Sequence, residues 1–280
     1  MSATAEAGGR VRTAPVGPGG RGRRMHRIEP AAVFGVMTRD MTVFTRNWKT
    51  TTFSSVVEPT IYLLAFGFGF GALISSINGL DYEQFVGTGV VATAVLFSSA
   101  FPGMYGTFLK YRFQRTYDAF LAAPVDVEEI VSAETLWIGI RAGVYGNAPL
   151  LVAIAFGLDP LPTALLVPLI CFVTGCAFVA FGVAIAGTAK SIDNFSYITS
   201  GVLTPMFLTA GTFFPIDSFP GWLEAIAQIN PLYHCVQLVR DAVILGIDPL
   251  ADLLHLTVLI VFGAIMWAIG IRTLRGKLID

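Results

Sequence analysis

The stretch LPTALLVPLICFVTGCAFVAFGVAIAGT, residues 161–188, runs for 28 residues without a charged side chain. A helix needs about 20 largely apolar residues to cross the hydrocarbon core of a bilayer, so this stretch predicts a membrane span. Five more stretches meet the same requirement, and the predicted spans are 53–76, 84–105, 132–157, 161–188, 194–213 and 251–271. The sequence therefore predicts an all-α polytopic membrane protein with six transmembrane helices.

The amino-acid composition excludes an ordinary soluble domain. Only 13% of the 280 residues are charged and 54% are hydrophobic, with a mean hydropathy of +0.69. A soluble domain carries about a quarter of charged residues. The three cysteines, Cys171, Cys176 and Cys235, lack the spacing of metal ligands and are interpreted as small apolar packing residues.

The basic residues are segregated by side. Sixteen of the eighteen Lys and Arg residues fall before the first span, in alternate loops or after the last span, and the exceptions are Arg141 and Arg240. The opposite loops, 77–83 and 158–160, contain acidic residues and no base. By the positive-inside rule, both termini are predicted to be cytoplasmic, in a multi-pass protein of the cytoplasmic (inner) membrane.

The amino-terminal region contains two different segments. Residues 1–27, rich in Gly, Pro, Ala and Arg, predict a disordered cytoplasmic tail, and residues 28–280 form the predicted transmembrane domain. Within 30–49, one helical stripe is apolar and the other basic; the apolar residues are Phe34, Met37, Met41, Phe44 and Trp48. This pattern is typical of an amphipathic helix in the inner membrane interface, and the alternative is a short helix packed on a partner.

The longest cytoplasmic loop, about 106–131, is basic and aromatic first and acidic later. Arg115 precedes Pro124, and Asp126 is suited to cap a short helix that exposes Glu128 and Glu129 to the cytoplasm. The residues alone allow two interpretations, a solvated connector or a docking surface for a cytoplasmic partner.

The segment 214–250, between the last two spans, is divided by prolines at 215, 220, 231 and 249. The pieces between them are too short to cross a bilayer, yet each carries an apolar stripe. We predict two short re-entrant helices in the outer leaflet, whose backbone ends must be buried in protein or line a cavity.

Few ionisable residues lie at mid-span, which disfavours proton coupling and catalysis within the membrane. Glu134 and Arg141 are two helical turns apart on one face and are predicted to form a polar pair at the cytoplasmic edge, with separate snorkelling as the alternative. Gly67, Gly69 and Gly71 lack the strand and acidic residue of a dinucleotide site, and no phosphate-binding loop is present. We therefore predict no catalytic, cofactor-binding or metal-binding residues on this chain, so that ATP hydrolysis needs a separate subunit.

Three elements together resemble the type-2 ABC exporter permeases, in particular the NodJ branch and the daunorubicin-exporter permeases. They are EPTIYLLAFGFGFG (58–71), FLAAPV (120–125) with its acidic follower and Glu134, and TPMFLTAGTFFPIDSFPGWLEAIAQINPLYHCVQLVRDAV (204–243). The resemblance covers about residues 30–275, and the third element is the most specific.

The resemblance implies a six-span subunit that works in pairs, with a second copy meeting spans one and five, on two cytoplasmic ATP-binding ABC subunits that hold ATP-Mg. It implies that the first cytoplasmic loop docks on these subunits, with Arg115, Glu128 and Glu129 as the candidate docking residues. The outer helices would then form an external gate, marked by Pro215, Gly221, Pro231, Arg240 and Asp241.

The mostly apolar and aromatic lining of such a path favours an amphipathic substrate, which is a drug or polyketide, a glycolipid or a lipo-oligosaccharide. Membrane lipids are expected neighbours, and no nucleic-acid partner is expected. Two other classes stay open at this point. One is a membrane-bound lipid-modifying transferase, which needs a carboxylate or His cluster at the interface, and the other is a passive channel or scaffold subunit.

Overall fold

The computed structural model describes residues 28–279 except 72, 75 and 78, so the tail predicted for 1–27 lies outside the described residues. For residues 54, 58, 59 and 68 the description is limited to the backbone. The α-helices are α1 (Pro30–Gly71), α2 (Tyr82–Phe101), α3 (Thr107–Arg112), α4 (Thr116–Leu121), α5 (Val127–Tyr145), α6 (Ala148–Ala155), α7 (Val167–Thr188), α8 (Asn194–Ile198), α9 (Thr204–Thr209), α10 (Gly221–Ile229), α11 (Pro231–Arg240) and α12 (Pro249–Leu278).

Other regular structure is short. Three π-helical segments span Pro102–Gly106, Thr199–Leu203 and Asp241–Leu245, and two 3₁₀ turns span Pro162–Leu166 and Ile216–Ser218. Strands β1 (Ser76–Ile77) and β2 (Leu80–Asp81) pair antiparallel around Gly79, whose φ of 80° suits a residue without a Cβ. This hairpin is the only strand pairing within the described residues, and the predicted all-α class is confirmed.

Five helical segments are long and apolar enough to cross a membrane: Pro30–Gly71, Tyr82–Arg112, Val127–Ala155, Pro162–Thr188 and Pro249–Leu278. They correspond to five of the six predicted spans and make the chain a multi-pass membrane protein. The other predicted span, 194–213, corresponds to the helical run from Asn194 to Thr209. At 1.5 Å per residue this run is about 24 Å long, a little less than the ~30 Å hydrocarbon core.

Helix α1 differs from the prediction. The sequence predicted an interfacial helix over 30–49 and a separate span from residue 53, whereas α1 is one helix of 42 residues. The reason is local, because no Gly or Pro stands between Val36 and Pro59 to interrupt the helix. At about 63 Å, α1 is twice as long as the hydrocarbon core is thick, so a large part of it must lie outside that core.

Pro102 lies inside the segment Tyr82–Arg112 without ending it. Proline lacks a backbone N–H, and its ring collides with the preceding turn, so it removes a hydrogen bond from a helix and tends to kink or interrupt it. The chain widens here into the π-helical turn Pro102–Gly106 and then resumes as α3. Thr107 and Lys110 are thereby carried on a helix that continues α2.

Helix α7 lies at the centre of the bundle, packed against α2, α5 and α12. A Cβ added at Gly182 would lie 2.7 Å from the Ala100 carbonyl oxygen and 2.8 Å from the Gly103 Cα, so the two backbones are in direct contact there. Small residues at helix crossings allow this close approach in membrane proteins. The packing fixes the π-helical turn, and with it α3, against the bundle.

Candidate coupling and gating regions

A buried group of charged side chains joins three helices at one end of the bundle. Lys110 of α3 donates to Asp40 of α1 at 2.6 Å and to Glu134 of α5 at 2.7 Å. Glu134, only 1% exposed, also accepts from the Thr107 hydroxyl at 2.8 Å. We call Asp40, Thr107, Lys110 and Glu134 the polar cluster. Because two carboxylates share one ammonium group away from water, removal of that group would leave uncompensated buried charge.

Tyr117 of α4 lies beside the polar cluster and is fully buried. Burial, together with the negative charge of Glu134, raises the pKa of the Tyr117 phenol well above its ordinary value. The phenol therefore stays protonated, and the charge of the cluster is set by its two carboxylates and its one ammonium group.

The predicted pair of Glu134 and Arg141 does not form. Glu134 is engaged by Lys110 and Thr107, whereas the Arg141 guanidinium lies 5.1 Å from the centroid of the Phe44 ring. The periodicity of α5 places both residues on one face, but it cannot show that a nearer cation comes from α3. The prediction is therefore corrected, since Glu134 belongs to the polar cluster and Arg141 to a neighbouring cavity.

Glu129 is a buried capping residue rather than an exposed docking residue. Asp126 and Glu129 form a capping box at the start of α5, in which the Asp126 backbone N–H donates to Glu129 Oε2 at 2.9 Å. The Glu29 backbone N–H donates to the other carboxylate oxygen of Glu129 at 2.8 Å, so the side chain joins the starts of α1 and α5. The predicted cap at Asp126 is confirmed. The short helix expected after it is wrong, because these residues are the first turn of the long helix α5.

Arg115 and Glu128 are the other two candidate docking residues. Arg115 adopts a left-handed conformation, φ 53°, directly before α4. Its side chain is 77% exposed and pairs with Asp118 at 3.2 Å. Glu128 pairs with Arg275 in the last turn of α12. Arg115 is thus the accessible member of the three, and reversing both glutamates would disturb the α5 cap.

The segment 214–250 forms the two short helices that the sequence predicts. Pro215 has an extended backbone before a 3₁₀ turn, Gly221 is the first residue of α10, and Pro231 is the first residue of α11. The Asn230 side chain caps α11 by accepting from the Leu232 backbone N–H at 2.9 Å. Proline explains why each break stands where it does, since Pro220 directly precedes α10 and Pro231 is the first residue of α11.

These two helices differ in burial. Leu232, Val236 and Val239 of α11 are fully buried in the core. On α10, by contrast, Trp222 is 68% exposed and Ile229 is 77% exposed. Only α11 is therefore part of the core, while α10 presents its apolar stripe outward, and entry of that stripe into the outer leaflet stays a prediction.

Arg240, at the end of α11, is buried against α2. Its guanidinium carbon lies 3.9 Å from the centroid of the Phe85 ring, and it donates to the backbone carbonyls of Gly211 at 3.1 Å and Phe85 at 3.4 Å. If Arg240 and Asp241 close the predicted gate, each is expected to pair with polar groups on the last two spans. The Gly211 carbonyl, in the predicted span 194–213, fits that expectation for Arg240, and Phe85 brings α2 into the contact as well.

Asp241 lies in a different environment from Arg240. Burial, together with the neighbouring Asp252 carboxylate of α12, raises the pKa of Asp241 to about 6. In the described part of the chain, Asp241 makes no ion pair. Its neighbour on the last span is a second carboxylate, Asp252 of α12, to which the Asp241 side chain is hydrogen-bonded. Asp241 therefore contacts a polar group of the last span through a hydrogen bond and not through an ion pair.

Sequence reasoning missed Asp40 and Lys110. Asp40 is the only acidic residue from 31 to 57, and it shares a helical face with Val33 and Val36. Those two valines are buried against Ala133 of α5. A lone acid in line with small apolar residues is the signal for a buried face that needs a cationic partner.

Known proteins match nearly the whole described chain. The profile of the family described as ABC-2 type transporter matches residues 31–244, which include the polar cluster and the helices α10 and α11. The chain is 30% identical over 236 residues to Nodulation protein J of Rhizobium meliloti (strain 1021), covering 82% of this chain and 89% of that protein. It is 30% identical over 246 residues to Nodulation protein J of Rhizobium leguminosarum bv. viciae, covering 85% and 94%.

A third relative extends the match beyond rhizobial proteins. The chain is 26% identical over 233 residues to the Inner membrane transport permease YadH of Escherichia coli (strain K12), covering 82% of this chain and 90% of that protein. The matched length, the helical architecture and the membrane-spanning segments all support membership of the same family. This chain therefore belongs to the ABC-2 type transporter family, as a multi-pass membrane permease.

Proposed function

We propose that this chain is the membrane subunit of an ATP-driven exporter that moves an amphipathic substrate out of the cytoplasm or inner leaflet. Two copies would stand on two ATP-binding subunits at the cytoplasmic face of the inner membrane, each copy crossing six times with both termini in the cytoplasm. The family supports the ATP-binding partner. The observation that carries the proposal is the polar cluster, which joins α1, α3 and α5 beside the loop expected to meet that partner.

The loop and the cluster are suited to transmit a displacement. Phe120 and Val125, at the two ends of the turn after α4, pack against the Val33, Val36 and Ala133 seam between α1 and α5. A force applied to this loop would act on α1, α3 and α5 together, because separating their buried charges costs several kcal/mol. Tilting of these helices as one unit would then open the path between two copies.

The faces proposed to line that path are exposed in the single chain. On the run from Asn194 to Thr209, Tyr197 is 78% and Leu208 is 53% exposed, and the exposed Ser200 and Thr204 lie on the same side of the helix. Large apolar side chains of α1 are exposed as well, among them Phe53 at 69%. This mixture of polar and apolar side chains fits an amphipathic substrate, whose headgroup would follow Ser200 and Thr204.

The proposed docking surface is the exposed turn 112–115 and not Glu129. In the tagged full-length chain isolated from its own membranes, Arg115→Glu should lower the yield of the co-purifying ATP-binding subunit by about tenfold or more, because a mismatched charge at an interface can cost several kcal/mol. Insertion of the chain in the membrane should not change. Arg272→Glu, also at an exposed position, is the matched control. Unchanged complex yield with Arg115→Glu contradicts this docking surface, and a wild-type chain without any ATP-binding subunit contradicts the proposed function.

The proposed gate is tested by labelling from outside. A Cβ added at Gly221 would meet no atom within 4 Å, so Gly221→Cys should fold normally and react with an impermeant thiol reagent. Cys235 is replaced by Ala first, and Asp159→Cys in an outer loop serves as the matched control. Labelling at 221 should change when the complex is trapped with a nucleotide, since a gate has two populations that ligand state shifts. Labelling at 159 should be the same with and without trapped nucleotide. If labelling at 221 is also the same in both nucleotide states, α10 has a structural role and is not a gate.

A further inference from the structure

A cavity of about 270 Å³ lies beside the polar cluster, between α1, the π-helical turn with α3, and α5. Three cationic side chains line it: Arg39, Lys110 and Arg141. Asp40 is the one acidic side chain in its described lining. The cavity is thus a cationic recess at the end of the bundle where the basic residues of the sequence concentrate.

Two of the three cations already have acidic partners. Lys110 is held by Asp40 and Glu134, and Arg39 donates to Asp40 at 2.8 Å. Arg141 makes no ion pair or hydrogen bond within the described residues, and its Nε atom is buried without a partner. Its guanidinium carbon lies over the Phe44 ring, 5.1 Å from the ring centroid. A buried guanidinium donor without an acceptor is costly, which points to an anion that is bound there in the working protein.

The rest of the wall is mixed in polarity. Phe44, Leu109, Trp137 and Ile138 contribute apolar and aromatic side chains, and Asn47, Thr51 and Gln114 contribute neutral polar ones. Arg141 stands two turns, about 10 Å, further along α5 than Glu134, toward the interior of the membrane-spanning segment. Cationic groups beside aromatic and aliphatic side chains match the junction between a lipid-like headgroup and its tail.

We infer that this cavity binds the phosphate-bearing headgroup of an amphiphile in the inner leaflet, with Arg141 as the residue that recognises it and Lys110 as a second donor. Guanidinium groups pair with phosphate oxygens in a forked geometry, and such charge-assisted bonds are strong where water is scarce. Binding at this position as the first step of transport rests on the proposed function. It narrows the substrate class to anionic amphiphiles that carry a phosphate.

The test is direct binding to the purified full-length chain in neutral detergent, followed as the rise in its thermal unfolding midpoint. The probes are dioleoyl phosphatidic acid, dioleoyl phosphatidylcholine with the same tails, and inorganic phosphate alone. Phosphatidic acid should stabilise the wild-type chain at concentrations where the other two do not. Arg141→Gln should weaken phosphatidic acid binding by about tenfold or more, since a hydrogen bond to a charged group contributes roughly that factor. Arg141→Lys should recover part of the loss.

Two further variants keep the outcome decisive. Arg272→Gln removes an exposed cation outside the cavity and should bind phosphatidic acid as the wild type does. Asn47→Asp adds a negative charge to the cavity wall at an exposed position, so it should fold normally and weaken binding even if Arg141→Gln folds poorly. The inference is overturned if Asn47→Asp and Arg141→Gln both bind phosphatidic acid as tightly as the wild type does. It is also overturned if inorganic phosphate alone stabilises the wild-type chain as much as phosphatidic acid does. Neither result depends on the ATP-binding subunit. The inferred phosphate site can therefore fail while the proposed export function stands, and the export function can fail while the phosphate site stands.

Discussion

Lys110 and Arg240 are both buried cations, yet they are neutralised in opposite ways. Lys110 bonds two carboxylates on two other helices at 2.6 and 2.7 Å. Arg240 bonds two backbone carbonyls and lies over an aromatic ring, without an ion pair in the described part of the chain. The helical segment Tyr82–Arg112 contains both Lys110 and Phe85, the residue whose ring and carbonyl contact Arg240. At 1.5 Å per residue, these two positions are about 37 Å apart along the segment.

The difference assigns different mechanical properties to the two ends. Around Lys110 every partner is charged and comes from a separate helix, so movement of one helix relative to the others would expose charge to a poorly solvated interior. Around Arg240 the partners are neutral, and a displaced guanidinium can exchange one carbonyl for another or for water. We therefore expect the end with the polar cluster to move as a unit and the end with Arg240 to rearrange at a lower cost in free energy.

The largest effect is expected from Lys110→Met. This change leaves Glu134 buried without a counter-charge and leaves Asp40 with Arg39 as its only cation among the described residues. It should lower the free energy of unfolding by about 3–5 kcal/mol. The measurement is thermal or denaturant unfolding of the purified chain in detergent, with Lys190→Met, at an exposed position, as the control. A variant as stable as the control would mean that the cluster does not hold the three helices together.

Arg240→Met is the matched change at the other end and should cost less, about 2 kcal/mol, because only neutral carbonyls lose their donor. Complex formation with the ATP-binding subunit should be unaffected, since the change lies far from the polar cluster. The same unfolding measurement checks the order of the two effects, with Arg272→Met as the control. A cost equal to or above that of Lys110→Met would remove the distinction between the two ends.

The sequence predicted most of what depends on local chemistry. Long apolar stretches predicted the spanning segments, Pro220 and Pro231 predicted the starts of α10 and α11, and Asp126 predicted the cap of α5. Each of these follows from properties within one turn or one segment, such as length, the missing proline N–H or a side chain that can cap.

What the sequence did not predict depends on distant pairs. Asp40 and Lys110 are 70 residues apart, and Lys110 and Glu134 are 24 apart, so periodicity within one helix cannot join them. For the same reason Arg141 was paired with Glu134 on the evidence of spacing alone. Glu128 and Glu129 differ in their contacts because the Glu29 backbone N–H, directly before α1, donates to Glu129. No property of α5 alone predicts this contact.

The smallest effects are expected at Glu129 and its neighbour Glu128, which lie in the first turn of α5. Like Arg240, Glu129 is a charged group with neutral backbone partners, the N–H groups of Glu29 and Asp126. Glu129→Ala should therefore cost about 1 kcal/mol, the usual contribution of a helix cap, and Glu129→Gln should cost less because Gln also completes a capping box.

Glu128→Ala is the matched neighbour. Glu128 pairs with Arg275, whose side chain is 49% exposed, and the loss of such a surface pair should cost at most about 0.5 kcal/mol. Unfolding of the three variants under identical conditions should rank Glu129→Ala below both Glu129→Gln and Glu128→Ala in stability. If Glu128→Ala were instead the least stable, the contact between α5 and the end of α12 would matter more than the cap that joins α1 to α5. Transmission from the cytoplasmic loop would then run through α12 rather than through the helices of the polar cluster.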